Sequence, residues 1–187
     1  MAVSSTMLAL GTPLPAFSLP DTTANGRLVS SSSLEGSVAI VAFICNHCPY
    51  VIHVQRELVA FGRHVAASSS AKMVAVSSND VGAYPEDGPD KMAEEARRAG
   101  YPFPYLYDES QSVARAFEAA CTPEIYMFDA QGLLRYRGRL DDSTPKNGRP
   151  VTGKDARAAL DALLSGNMPD PDQHPSIGCS IKWKTEH

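Results

Sequence analysis

The feature that most constrains this chain is an apolar run that ends at a pair of cysteines. Val38-Ala39-Ile40-Val41-Ala42-Phe43-Ile44 is unbroken, and Cys45-Asn46-His47-Cys48 and Pro49 follow at once. A short run without polar alternation is expected of a central strand covered on both faces. From Pro49 the period changes. Val51, Val54, Leu58, Phe61 and Val65 recur at the spacing of one helix face. Pro49 suits the first helical turn, where its missing N–H leaves no bond unmade. Strand, cysteine pair and helix in that order make the chain an alternating α/β protein and set two thiols at a helix N-terminus. Backbone N–H groups and the helix dipole favour a thiolate there. His47 adds a group that is cationic or neutral near physiological pH.

The rest of the chain continues the alternation. Pro15 to Asp21 alternates apolar and polar residues before Asn25-Gly26, which predicts a hairpin returning through Arg27 to Ser30. Lys72 to Ser77 reads as a second buried strand, Asn79 to Pro89 as a long loop, and Asp90 to Ala99 as a charged helix stopped by Gly100. Phe103 to Tyr107 reads as a short strand and Gln111 to Ala120 as a helix. Ile125 to Phe128 and Leu133 to Leu140 form strand, turn and strand, and Lys154 to Leu164 is the final helix. The last twenty residues carry no clear period. These segments predict one domain spanning 1–187, with a core over about 14–166 and a tail, 167–187, packed on it.

Composition narrows the function. A chain of 187 residues can bury roughly 70% of its unfolded surface, so it needs no disulfide staple or metal clip. With 43% hydrophobic and 20% charged residues and a net charge of -4, it has a globular composition. The acidic balance argues against nucleic acid as a partner. The longest apolar run, Val38 to Cys45, falls far short of the ~20 residues of a membrane-spanning helix. Met1 to Leu10 lacks the basic start and continuous apolar stretch of an export signal, so the expected location is cytoplasmic. Four cysteines are too few for a disulfide scaffold, and in a reducing compartment they read as chemistry or metal binding.

With these residues in place, the chain resembles the thioredoxin superfamily in its peroxiredoxin-like branch. Pro15 to Asp21 looks like the opening strand of the alkyl hydroperoxide reductase and thiol-specific antioxidant group. Glu35-Gly36 with Val38 to Phe43 looks like the strand that delivers its active-site cysteine. Thr122-Pro123 matches the proline of the superfamily, expected in cis and facing the cysteine pair. Cys45 to Val51 (CNHCPYV), Cys121 to Glu124 (CTPE) and Gly178 to Lys184 (GCSIKWK) together resemble a thioredoxin-like subfamily. The resemblance implies an α/β thioredoxin-like fold: a central mixed β-sheet, helices on both faces and an N-terminal β-hairpin extension. The departures are specific. Val41 and Cys45 stand at the Pro and Thr positions of P-x-x-x-T-x-x-C, and Pro123 at the place of the peroxidatic arginine. Ile44 and Ala39 stand where a thioredoxin has its Trp and its buried acid.

The expected activity is thiol–disulfide exchange. By superfamily analogy Cys45, the more exposed thiol, attacks a disulfide and Cys48 resolves the adduct. His47 tunes the thiolate, and Thr122-Pro123 offers a backbone edge to the partner. Cys121, two residues before the proline, reads as a resolving thiol, a metal ligand or a buried small hydrophobe. Cys179 reads as tail packing or as a resolving thiol. The implied partners are protein or small-molecule thiols and disulfides, hydroperoxides as a further class, and an external thiol reductant. No nucleic acid, membrane, cofactor or metal is required. Two alternatives stay open. One is a weak thiol peroxidase or antioxidant protein. The other is a non-catalytic copper or zinc site built from Cys45, Cys48, Cys121 and His47, since C-x-x-C alone is also half of a zinc site. His53, off the apolar stripe, reads as solvated. Glu124 reads as a proton-exchanging neighbour of a thiol or as a surface or capping residue. Tyr101, Tyr105 and Tyr107 read as core and rim, and Arg135, Arg137 and Arg139 as the solvated face of a strand.

Overall fold

In the computed structural model, which describes residues 2–185, the chain runs β1 (Ala2–Ser4), β2 (Ser18–Asp21), β3 (Arg27–Ser30), β4 (Val38–Phe43), α1 (Pro49–Ala66), β5 (Ala71–Ser77), α2 (Pro89–Ala99), β6 (Tyr105–Tyr107), α3 (Ser112–Ala116), β7 (Cys121–Thr122), β8 (Glu124–Phe128), β9 (Leu134–Gly138), α4 (Lys154–Leu164) and β10 (Ile177–Ser180). Met1 and the last two residues of the expected tail lie outside the described residues.

The unbroken apolar run is β4, and its place in the sheet explains its composition. Seven strands lie in the order β3-β2-β6-β5-β4-β8-β9, with β4 parallel to β5 and antiparallel to β8. All six β4 residues are buried. Because strand side chains alternate, Val38, Ile40 and Ala42 pack with α1, α2 and α4. Ala39, Val41 and Phe43 pack on the other face with α3, Phe117 and the N-terminal segment through Leu8, Phe17 and Leu34. Phe43 and Phe117 meet edge to face with ring centroids 5.3 Å apart. A strand covered twice has no solvent face to carry polar residues. The result is a mixed sheet with helices on both faces, as the resemblance implied.

The predicted stripe of α1 is buried at Val51, Val54, Leu58, Phe61 and Val65, and Cys48 is the N-cap with Pro49 in the first turn. The hairpin pairs Ser18 with Ser30 and Asp21 with Arg27, but its connection is longer than an Asn-Gly turn. The Asp21 carboxylate accepts from the Thr23 N–H at 2.9 Å and winds Thr22–Ala24 into a 3-10 turn. Asn25 (φ 53) and Gly26 (φ 75) then reverse the chain.

Two expectations need correction. Arg135 and Arg137 of β9 and Arg139 just after it do not form a solvated face, because each is half-buried in a local bond. Arg135 meets Asp129 at 2.5 Å and Arg139 meets Asp155 at 2.6 Å, while Arg137 donates to the Leu8 carbonyl and to Gln173. The tail, which has no sequence period, forms a strand. β10 pairs antiparallel with β1 on one side (Ala2 opposite Cys179) and with β7 on the other (Cys179 opposite Thr122). Beyond it Ile181 donates to the Ala120 carbonyl at 3.0 Å. Lys182 N–H donates to Asn79 and Lys184 N–H to the buried Gln111. The Arg115 guanidinium lies 4.7 Å from the Trp183 ring centroid. Among the described residues no helix is long and apolar enough to cross a membrane.

Candidate active site

Two parts of the fold meet at the cysteine pair: the junction of β4 with α1, and the turn between β7 and β8. Thr122-Pro123 is a cis peptide, as expected. Thr122 touches both thiols. Its Oγ1 lies 3.5 Å from Cys45 Sγ, and its carbonyl oxygen lies 3.2 Å from Cys48 Sγ.

The two thiols differ in a way the spacing could not reveal. Cys45 and Cys48 are 2% and 0% exposed, so neither is the open thiol that superfamily analogy suggested for Cys45. The Cys45 thiol lies within hydrogen-bonding reach of Cys48. A hydrogen bond between them holds Cys48 down to a pKa of about 4 against the opposing effect of burial, with further support from Thr122 and Cys179. The Val51 N–H of the first turn adds its field, although no side-chain cap bond closes there. The same bond, then burial and the nearby Asp87, push Cys45 far up. The ionised thiol at the α1 N-terminus is therefore Cys48, the residue nearest the helix N–H groups.

This asymmetry has a pH signature. A thiol lowered to about 4 stabilises the fold fully above its ordinary value of 9.0 and loses that contribution as pH falls from there to about 4. Cys45 acts in the opposite sense only above pH 9.0, where an unfolded thiol would ionise. In an ultraviolet pH titration, one thiolate is expected to appear near pH 4 and the others only in alkali. A protein with no thiolate below pH 7 would contradict this assignment.

His47 faces the other way. Its Nδ1 lies 2.6 Å from Asp87 Oδ2, and its ring stacks on Tyr84 with centroids 5.2 Å apart. Asp87 is fully buried and binds the motif from outside. Its oxygens accept from the Asn46 backbone N–H at 2.8 Å and from Asn79 Nδ2 at 2.7 Å. Tyr105 OH donates to Asn46 Oδ1 at 3.2 Å. Asp87 thus locks the loop between the cysteines, and sequence reasoning missed it because it sits in a polar loop without period. Cys45, His47 and Asp87 bring ligand atoms within 4.8 Å of one another. This is not the set expected from sequence: Cys121 and Cys48 are outside it, and Asp87 already accepts from Asn46 N–H and Asn79 Nδ2.

Cys121 is fully buried and its thiol points to Glu124, 3.9 Å from Oε2. Burial first, and then this carboxylate, hold Cys121 protonated. Glu124 is no surface residue. It is fully buried, accepts from the Ala120 N–H and the Tyr126 hydroxyl, and has its own pKa raised by burial. Cys179 is half-buried on β10 and within side-chain hydrogen-bonding reach of Cys48. All four cysteines are free thiols. His53, expected to be solvated, bonds through Nε2 to Ser143 Oγ at 2.8 Å. It does so beside a cavity of about 170 Å³ bordered by Tyr50, Val54, Pro123, Asp141 and Ile177. A larger cavity, about 620 Å³, lies at the far end of α1 around Gly62, Val65 and Phe103 and contains no cysteine.

A buried cysteine pair between strand and helix, facing a cis-proline on a mixed sheet, defines a peroxiredoxin-like protein of the thioredoxin superfamily. The chain belongs to the AhpC/TSA family, which matches residues 10–137. It is similar over its whole length to an uncharacterized conserved protein from Geobacillus kaustophilus, with 49% identity, 98% of that chain covered and a TM-score of 0.96. It is also similar to a hypothetical protein from Sinorhizobium meliloti 1021, with 42% identity, 98% of this chain and 99% of that one covered, and a TM-score of 0.94. A thioredoxin-family thiol:disulfide interchange protein from Chlorobium tepidum TLS shares the fold at 21% identity, with 83% and 98% of the two chains covered and a TM-score of 0.63. No curated protein matches the chain.

Proposed function

We propose that this protein is a thiol–disulfide oxidoreductase whose redox pair is Cys45 and Cys48, with Cys48 as the attacking thiolate. The observation that carries the reading is geometric: Cys48 is the N-cap of α1, Cys45 precedes it by three residues, and Thr122 of the cis-proline turn touches both sulfurs. Attack on a partner disulfide forms a Cys48–S–S–R bond and releases the other half as thiolate. Once Cys48 carries no charge, the bond that kept the proton on Cys45 is gone. Cys45 then attacks the Cys48 sulfur, its proton goes to the departing RS⁻, and the 45–48 disulfide closes. An external dithiol returns the pair to its reduced state. Thr122 touches both sulfurs during this exchange, and Asp87 with Asn46 holds the loop between them. The substrates are protein or small-molecule disulfides and thiols, and the setting is the cytoplasm.

The test is a redox equilibrium. Across graded ratios of reduced to oxidised glutathione, the protein is expected to lose two of its four thiols in one transition. Peptide mapping is expected to find the 45–48 bridge. A chain that keeps every thiol in fully oxidised buffer would remove the reading.

Peroxide reduction is a second reading, favoured by one observation. The ionised thiol, Cys48, is the residue that falls at the cysteine of P-x-x-x-T-x-x-C, and a peroxide is small enough to reach buried sulfur. The missing Pro, Thr and Arg of that pattern argue for a slow reaction, because the O–O bond lacks its polarising donors. Stopped-flow peroxide consumption no faster than that of free cysteine would exclude it.

A further inference from the structure

The edge of β7, expected to receive a partner, is occupied by the protein's own tail. Cys179 stands directly opposite Thr122 in the β7–β10 ladder. Its neighbour Gly178 lies so close that a Cβ there would fall 2.0 Å from the Thr122 carbonyl oxygen. Only a glycine lets a strand lie this tightly on the proline turn. β10 is held from its other side by β1, and just beyond it the chain is fastened at Ala120, Asn79 and Gln111. Because the Thr122 carbonyl oxygen also lies 3.2 Å from Cys48 Sγ, this pairing brings Cys179 close to Cys48, and its half-buried position leaves it open to a small reagent.

We propose that Cys179 is the thiol that resolves a disulfide adduct on Cys48, so that β10 serves as a built-in partner strand at the thiol site. The proposal rests on the reading that Cys48 is the attacking thiolate, and it inserts an earlier disulfide ahead of the 45–48 bridge. With a low-molecular-weight disulfide R–S–S–R, Cys48 attacks one sulfur, the R–S–S–R bond breaks, and RS⁻ leaves. Cys179 then attacks the Cys48 sulfur of Cys48–S–S–R. A 48–179 bond forms, the bond to the second RS breaks, and the Cys179 proton leaves with it as RSH. Two protein thiols are oxidised and one disulfide is reduced to two thiols. Cys45 next exchanges onto Cys48, forming 45–48 and freeing Cys179 without net oxidation.

Cys179 acts before Cys45 because it is half-buried and can give up its proton to solvent, whereas Cys45 is 2% exposed. Burial and the nearby Asp87 keep Cys45 protonated even after Cys48 has lost its charge. Cys179 is raised only to about 11, by burial and then by Cys48, and Lys182 opposes the rise. The tail is consequently pinned to β7 in the first oxidised state and released in the second.

The test uses the full chain carrying Cys45→Ser, treated with oxidised glutathione. The expected product is a 48–179 disulfide with two glutathione molecules released per protein. With Cys179→Ser added, one glutathione is released and Cys48 keeps the other as a stable adduct. If the Cys45→Ser chain instead retains glutathione on Cys48 while Cys179 stays free, the relay is overturned and Cys48 still stands as the nucleophile. If Cys48 takes up no glutathione, the oxidoreductase reading fails with it. In the unmodified chain, acid quenching at early times is expected to trap 48–179 ahead of 45–48. A 45–48 bridge with Cys179 free at every time point overturns the relay independently of any substitution.

Discussion

Cys48→Ser is expected to end redox cycling, slowing turnover with disulfides by roughly 10³-fold or more, the scale on which loss of a covalent nucleophile falls. The hydroxyl cannot ionise at neutral pH, and the remaining thiols hold their protons: Cys45 and Cys121 are both pushed up, in part by burial. The companion variants separate the two cysteines. Cys45→Ser keeps an O–H in place of the S–H, so Cys48 is expected to stay ionised. Cys45→Ala removes the donor. A hydrogen bond to a charged group contributes about 1.5–3 kcal/mol, which corresponds to a rise of about 1–2 pKa units at Cys48. Ultraviolet titration of the thiolate reads this directly. A Cys45→Ala chain whose Cys48 titrates where it does in the native protein would refute the account of the site.

Gly178→Ala is the second large effect. The added methyl would meet the Thr122 carbonyl oxygen at 2.0 Å and its carbon at 2.7 Å. Both are backbone atoms, so no rotamer relieves the clash. Overpacking of this kind costs about 1–3 kcal/mol, and β10 is expected to lift from β7 while the main sheet stays folded. Hydrogen exchange would accelerate at Ile177–Ser180, and alkylation of Cys48 would rise about tenfold or more as the covering strand leaves, since a loss of 1.4 kcal/mol is a tenfold change in that equilibrium. Unchanged exchange across β10 together with unchanged alkylation would mean that the strand is not what covers the thiol.

What could be read ahead of the structure was local. The apolar run of β4 announces a doubly covered strand because each residue's surroundings follow from its neighbours in the ladder. The α1 stripe follows from helical periodicity, and Pro49 marks its start. The placement of the thiols at the helix N-terminus needed only those two elements in succession. The cis-proline came from the resemblance rather than from any period. Asp87 had no such signal. It lies in a turn-rich loop and becomes part of the site only because Asn46 and Asn79, from two other segments, converge on its carboxylate. β10 was equally hidden. It is four residues long, too short for a period to show, and its partners are more than fifty positions away at β7 and at the opposite end of the chain in β1. His53, Arg137 and Arg139 were misjudged for the same reason: their partners, Ser143, Leu8 and Asp155, are brought close by folding alone.

By itself the sequence determined that two thiols stand between a buried strand and the start of a helix, because helical and strand periods are properties of consecutive residues. Only the tertiary structure decided which thiol ionises and which strand covers it. Those outcomes depend on hydrogen bonds and close approaches between segments that the chain order keeps apart: Cys45 to Cys48 across the locked loop, Thr122 to both sulfurs, and Gly178 pressed on the proline turn.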